Sequence, residues 1–240
     1  TVTKSVSLDP GRDVWDLAAD FSDASNPTPS GVWAYGGLAV DGSSLDPVFT
    51  KHVNGYIEHG TSHGWVRPDQ DWIGLVMNVG VSAGYDMPAG RVGGHANTGC
   101  RWTAPKDCTI NIIGGAWNQR EWWDPSRIVG VTLSINGTKL MDSVPVPQPS
   151  EGATSATPYT LAQAILAGGG QISGLTNITV HRGDNVFLGL SGITGTDFMG
   201  VDFRVTEAVG TPSGAYSIGD IKKAGPGWYW RRPPRRSHSN

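Results

Sequence analysis

Asn26-Pro27-Thr28-Pro29-Ser30-Gly31-Val32-Trp33-Ala34-Tyr35-Gly36 is the stretch that decides the fold. Pro27, Pro29 and Gly31 shape a turn, because proline presets φ and glycine accepts conformations closed to other residues. In the strand that follows, Trp33 and Tyr35 are two residues apart and share one face, so the segment reads as a strand with large aromatics on its inner side. Similar β-branched or alternating runs recur at Thr3–Leu8, Gly31–Val40, Trp72–Val79, Gly99–Thr103, Cys108–Ala116, Ile128–Ile135, Thr179–His181, Val186–Leu190 and Val201–Val205. Many short strands separated by turn signals predict an all-β, antiparallel β-sandwich, jelly-roll-like in character. Asn136-Gly137, between Val131–Ile135 and Thr138–Leu140, predicts a type I′ hairpin. Thr160–Leu166, ended by Gly168-Gly169-Gly170, is the one convincing helix and is expected to cross between sheets.

Composition agrees with this class. Of 240 residues, 34 are Gly and 16 are Pro while only 16% are charged, which fits tight turns rather than helices. No run of about 18 apolar residues is present, so no membrane-spanning helix is expected. Residues 211–240 hold six Lys/Arg and one acidic residue, leaving twelve basic and twenty acidic residues in the body. The chain therefore divides into a sandwich domain, residues 1–210, and an extended, basic and aromatic C-terminal tail, residues 211–240, ending in Gly227-Trp228-Tyr229-Trp230-Arg231-Arg232-Pro233-Pro234-Arg235-Arg236. Such a tail either drapes over the surface or docks on a neighbouring subunit of a homo-oligomer. A single basic tail on an acidic body offers no face for nucleic acid, which is not expected as a partner.

The phrases Phe21, Asn26-Pro27, Gly31-x-Trp33-x-Tyr35-Gly36, His95, Arg101-Trp102-Thr103-Ala104-Pro105 and Gly183-Asp184, in that order, resemble a family of extracellular bacterial modules described as sandwich or carbohydrate-binding-like domains. The resemblance covers about residues 12 to 208 and implies a secreted or surface-exposed β-sandwich. It departs at His95-Ala96-Asn97, where that family carries H-P-G, and so assigns no role to His95.

Sugar rings stack on flat aromatic faces, and ten tryptophans offer many. Trp15, Trp33 and Trp102 lie on apparent strands and are expected in the core. Trp65, Trp72, Trp117, Trp122 and Trp123 fall at strand ends or in loops. In Trp117-Asn118-Gln119-Arg120-Glu121-Trp122-Trp123-Asp124, aromatics alternate with amide, guanidinium and carboxylate groups. The candidate ligand-binding set is accordingly Trp65, Arg67, Trp72, Trp117, Arg120, Glu121, Trp122, Trp123 and Asp124, with one of Trp122 and Trp123 facing the core as the alternative. Arg101 alternates with Cys100 and Trp102, and is expected to pair with a carboxylate such as Asp184 or Asp202.

Cys100 and Cys108 are spaced too widely for a C-x-x-C site. If Ala104–Asp107 turns between paired strands they are near enough for a disulfide, and the spacing leaves bridged and free states open. His59 and His63 would share a helical face, but Gly60 and Gly64 argue against a helix there, so a metal site built from His52, His59, His63 and His95 is not expected. A structural calcium could draw on Asp41, Asp46, Asp69, Asp71, Asp197 and Asp202, although no D-x-D-x-D-G loop occurs. No other cofactor is expected. Glu121 with Asp124 is the one carboxylate pair beside aromatics, and His63, Arg67, Tyr85 and Arg91 are of the types a lyase uses. No G-x-S-x-G, P-loop or H-E-x-x-H sequence is present, so the assignment leans away from an enzyme. The leading expectation is a non-catalytic carbohydrate-binding module. The alternatives are an assembly protein, such as a filament, coat or virion component, whose tail locks onto a neighbour, and a polysaccharide lyase or glycoside hydrolase.

Overall fold

The computed structural model describes residues 13–55, 62–80, 85–95, 97–119, 126–195 and 197–208. The run at Thr3–Leu8 and the tail, 211–240, lie outside them. The described chain is an antiparallel β-sandwich of two sheets with one α-helix. Its strands are β1 (Val14–Asp16), β2 (Trp33–Leu38), β3 (Leu45–Val48), β4 (Lys51–Asn54), β5 (Ser62–Arg67), β6 (Gln70–Asn78), β7 (Val92–His95), β8 (Thr98–Thr103), β9 (Cys108–Asn118), β10 (Val129–Ile135), β11 (Thr138–Pro145), β12 (Tyr159–Thr160), β13 (Ile178–Val180), β14 (Asn185–Gly192) and β15 (Phe198–Glu207), and the helix is α1 (Leu161–Ala167). The larger sheet runs β12-β9-β15-β7-β6-β5-β4, with β1 also pairing β15 and β13 also pairing β9; the smaller runs β11-β10-β14-β8-β2-β3. Among the described residues no helix is long and apolar enough to cross a membrane.

The opening phrase builds the smaller sheet and its attachment to the loop before it. Trp33 and Tyr35 point inward and are fully buried. Asn26 is the clip: its Nδ2 donates to the carbonyls of Tyr35 at 2.7 Å and Phe49 at 2.6 Å, while its Oδ1 accepts from the Tyr35 N–H at 2.8 Å. One amide side chain thus bonds three backbone groups, adding a second donor to the Tyr35 carbonyl, which also accepts from the Phe49 N–H at 2.9 Å. Gly36 follows because a Cβ there would lie 2.4 Å from the Pro47 carbonyl oxygen on β3. Trp15, Trp33 and Trp102 meet between the sheets as expected, with Trp15 5.2 Å from Trp102 and Trp33 5.7 Å from Phe203 by ring centroids.

The Asn136-Gly137 hairpin forms, with Asn136 at φ 50° and Gly137 at φ 78° and Ile135 paired to Thr138. Helix α1 forms too, opened by a capping box in which Thr160 Oγ1 accepts from the Gln163 N–H. It joins β12 and β13, which both pair β9, rather than crossing between sheets, and it buries Leu161, Ala164 and Ile165 in the core.

Two local readings are corrected. Ala104–Asp107 does not close a hairpin: β8 belongs to the smaller sheet and β9 to the larger, so the segment crosses the sandwich and Cys100 and Cys108 are free thiols in different sheets. Arg101 does point away from the Cys100/Trp102 face, but Asp202 pairs with Arg91 instead, and Asp184 accepts from the His181 N–H. Asp202 sits in the opposite sheet from Arg101, whereas Asp184 borders the same sheet, its carbonyl accepting from the Ala104 N–H at 2.8 Å.

Candidate functional site

The outer face of the larger sheet carries an open groove of about 710 Å³ across β9 and β15. Strand register explains its lining. β15 is flanked by β9 on one side and, on the other, by β7 along Phe198–Val201 and then by β1 along Arg204–Thr206. Asp16 of β1 stands opposite Arg204, which stands opposite Ile113 of β9. Two residues earlier on the same face of β15, Asp202 stands opposite Gly115, and Arg91, one residue before the Val92–Val201 pair, reaches it from β7. The face thus carries two arginine–carboxylate pairs: Arg91 Nη1 with Asp202, and Arg204 Nη2 with Asp16 at 2.6 Å. Burial opposes ionisation of Asp16, but hydrogen bonds from Ala19 N–H, Arg204 and Ala18 N–H outweigh it and hold its carboxyl below the ordinary range. Between the pairs the floor is bare backbone at Gly114 and Gly115, beside the exposed side chain of Ile113. Pro158 and Thr160 form one wall and Ala18, Ala19 and Gly90 line the other parts.

Trp117 packs beside the groove on the same face of β9. It lies on the outer side of β9, yet it is fully buried, because its indole crosses its cross-strand neighbour Gly200 and the segment around Asp86 covers it. Its Nε1 donates to the Asp86 carbonyl at 2.6 Å, and Asp86 is held in turn by the Ser155 N–H at 2.6 Å. The Arg91 guanidinium carbon lies 6.0 Å from the Trp117 ring centroid, at the edge of cation–π range, which helps aim Arg91 along the face toward Asp202.

The other sequence candidates are dispersed. Trp65 faces the space between the sheets, is 7% exposed, and donates from Nε1 to the Ser22 carbonyl at 2.7 Å. The ring faces of Trp65 and Trp117 are therefore packed against protein rather than turned to solvent. Trp72 is the exposed tryptophan among the described residues, on the outer side of β6 with its ring 5.0 Å from that of His95. Arg67 pairs with Asp69 at 2.9 Å on the turn after β5. Arg120, Glu121, Trp122, Trp123 and Asp124 lie outside the described residues, and with them the Glu121–Asp124 pair. Of the lyase-type residues, His63 faces inward on β5, Tyr85 packs in an apolar cluster with Val66, Val76, Met87 and Phe198, and Arg91 is in the groove, so they do not converge.

The side chain of Asp71 lies outside the described residues, and among the described ones the aspartates considered for calcium do not gather. Asp41 is taken up by Ser43, Asp69 by Arg67 and Asp202 by Arg91, and Asp197 Oδ1 accepts from the Phe198 N–H. A different cluster does gather: Asp23, His52 and His63 place one ligand-type atom each within 4.8 Å of one another. Sequence spacing misses it because the two histidines are neighbours across a hairpin. His52 of β4 opposes Trp65 of β5, and His63 is two residues from Trp65 on the same face. Neither protein-family models, nor curated proteins, nor solved structures give a match to this chain.

Proposed function

We propose that the protein is a non-catalytic binding module for an uncharged polysaccharide, which lies in the groove over β9 and β15. The observation that supports this reading is the alternation, on one sheet face, of two arginine–carboxylate pairs with a glycine floor and an exposed isoleucine. A sugar hydroxyl both donates and accepts, and an arginine beside a carboxylate offers both functions in fixed positions. The charges cancel within each pair, which favours a neutral polyol over a polyanion. The side-chain-free floor lets a ring approach the backbone, and Ile113 supplies an apolar surface for its C–H face. An open groove suits a chain that continues past the site at both ends, whereas small apolar ligands favour enclosed pockets.

Affinity electrophoresis through gels containing soluble neutral polysaccharides tests the reading. The wild type is expected to be retarded by at least one of them. Ile113→Ser with Arg204→Gln should weaken retardation at least tenfold, while Val40→Ser, at an exposed loop position elsewhere, should leave it unchanged. Equal mobility of wild type and double variant in every retarding gel would reject the groove as the binding site.

A further inference from the structure

We infer that Asp23, His52 and His63 form a binding site for a divalent first-row transition ion such as Zn²⁺, with one coordination position open to solvent. The site stands apart from the groove chemistry and does not depend on it.

Three separate segments converge on it. His52 comes from β4 and His63 from β5, both on the side of the larger sheet that faces its partner sheet, and Asp23 comes from the loop that precedes the Asn26 clip. His52 Nε2 and His63 Nδ1 both point at the same oxygen, Asp23 Oδ1, at 3.0 Å and 2.5 Å. Adjacent ligand atoms around a tetrahedral zinc with bonds near 2.0–2.1 Å are ~3.3 Å apart; the two histidine–aspartate separations stand within about an ångström of that spacing, and all three ligand atoms lie within 4.8 Å of one another. Asp23 is the member with room to adjust: its side chain is 51% exposed, against 22% and 18% for His52 and His63. The imidazoles are held by their surroundings. The Trp65 ring meets His52 at 5.2 Å and the Phe21 ring meets His63 edge-on at 6.1 Å. The aspartate's loop is fixed one residue earlier, where the Ser22 carbonyl accepts from Trp65 Nε1.

The donor set selects the ion. Two imidazole nitrogens and one carboxylate oxygen suit zinc, cobalt, nickel or copper, whereas calcium and magnesium prefer six or more oxygens. The exposed side of Asp23 leaves the fourth position to water. A free aspartate carboxyl titrates at about 3.9 and is therefore anionic at neutral pH, as a ligand must be.

The bland competitor is a hydrogen-bonded clamp that ties the loop to the sheet and binds no ion. Calorimetric titration of the chelator-treated full chain with Zn²⁺ separates the two. The expected result is one ion per chain in the micromolar range or tighter, with affinity falling at least tenfold in His52→Ala and in His63→Ala and unchanged in His181→Ala, whose ring is exposed. Should either histidine variant unfold, imidazole NMR of the wild type decides: Zn²⁺ is expected to shift His52 and His63 and leave His181 in place. Absence of binding below millimolar, or shifts confined to other histidines, would overturn the inference and leave the clamp.

Discussion

Trp117→Ala distinguishes a tryptophan that supports the groove from one that touches the ligand. The indole is fully buried, so its removal should cost about 3–5 kcal/mol, the range for deleting a large aromatic from a packed site. Losing the Nε1 bond leaves the Asp86 carbonyl without that donor and adds about 1 kcal/mol. For a domain of this size each kcal/mol lowers Tm by roughly 2–4 °C, so a fall of about 10 °C or more is expected. A second substitution shows whether the indole lies where the structure places it. A Cβ on Gly200 would come within 2.0–2.5 Å of three Trp117 ring atoms, an overlap that must displace the ring. Gly200→Ala should therefore cost about 1–3 kcal/mol in the wild type by overpacking, and close to nothing in the Trp117→Ala background, where the obstacle is gone. Urea unfolding of the four proteins closes the cycle. The reasoning fails if Trp117→Ala lies within about 1 kcal/mol of wild type, or if Gly200→Ala costs the same in both backgrounds.

Asp16 has a depressed carboxyl pKa, so its contribution to stability is present above the unfolded value, near 3.9, and is lost as pH falls through the folded-state value. Asp16→Asn should lower the urea midpoint at about pH 6, and the difference from wild type should shrink progressively as the pH falls below the unfolded value and through the depressed folded-state value; a constant difference across that fall would contradict it. Both thiols are free, with Cys100 buried in β8 and its pKa pushed up by burial, and Cys108 half-buried at the start of β9. A disulfide-exchange reagent should titrate one thiol, slowly, in the native protein and two after denaturation; no titratable thiol in the denatured, unreduced protein would show that the two are bridged.

Local signals were readable in the sequence where one short segment determines its own conformation. Asn136-Gly137 dictates its turn, Thr160 and Gln163 cap their helix, and the alternation of Trp33 with Tyr35 names the inner face of β2. What was not readable depends on which strand lies beside which. Arg101 has the orientation its alternation predicts, but the partner of Asp202 is set by the approach of β7 to β15, more than a hundred residues apart in sequence. Pro105 marks a turn without saying whether the chain folds back in one sheet or passes to the other, and it passes to the other. The groove residues Asp16, Arg91, Ile113, Asp202 and Arg204 carry no motif, since they become neighbours only through the pairings of β15 with β1, β7 and β9. His52 and His63 are hidden for a related reason: glycine-rich flanks obscure β4 and β5 as strands, and the two histidines meet as a cross-strand diagonal, which helical i, i+4 spacing of the kind His59 and His63 show does not reveal. An alternating pattern around Trp65, with His63 and Trp65 on one face and Gly64 and Val66 on the other, was the signal that could have found them.

Methyl NMR of the isoleucines, recorded while a retarding neutral polysaccharide is added, tests the binding face most directly. Ile113 lies in the groove, and Ile128, Ile172 and Ile193 are exposed away from its lining. The account predicts a saturable shift of the Ile113 methyl with the other three unmoved, whereas a still Ile113 beside shifts at any of those three would contradict it.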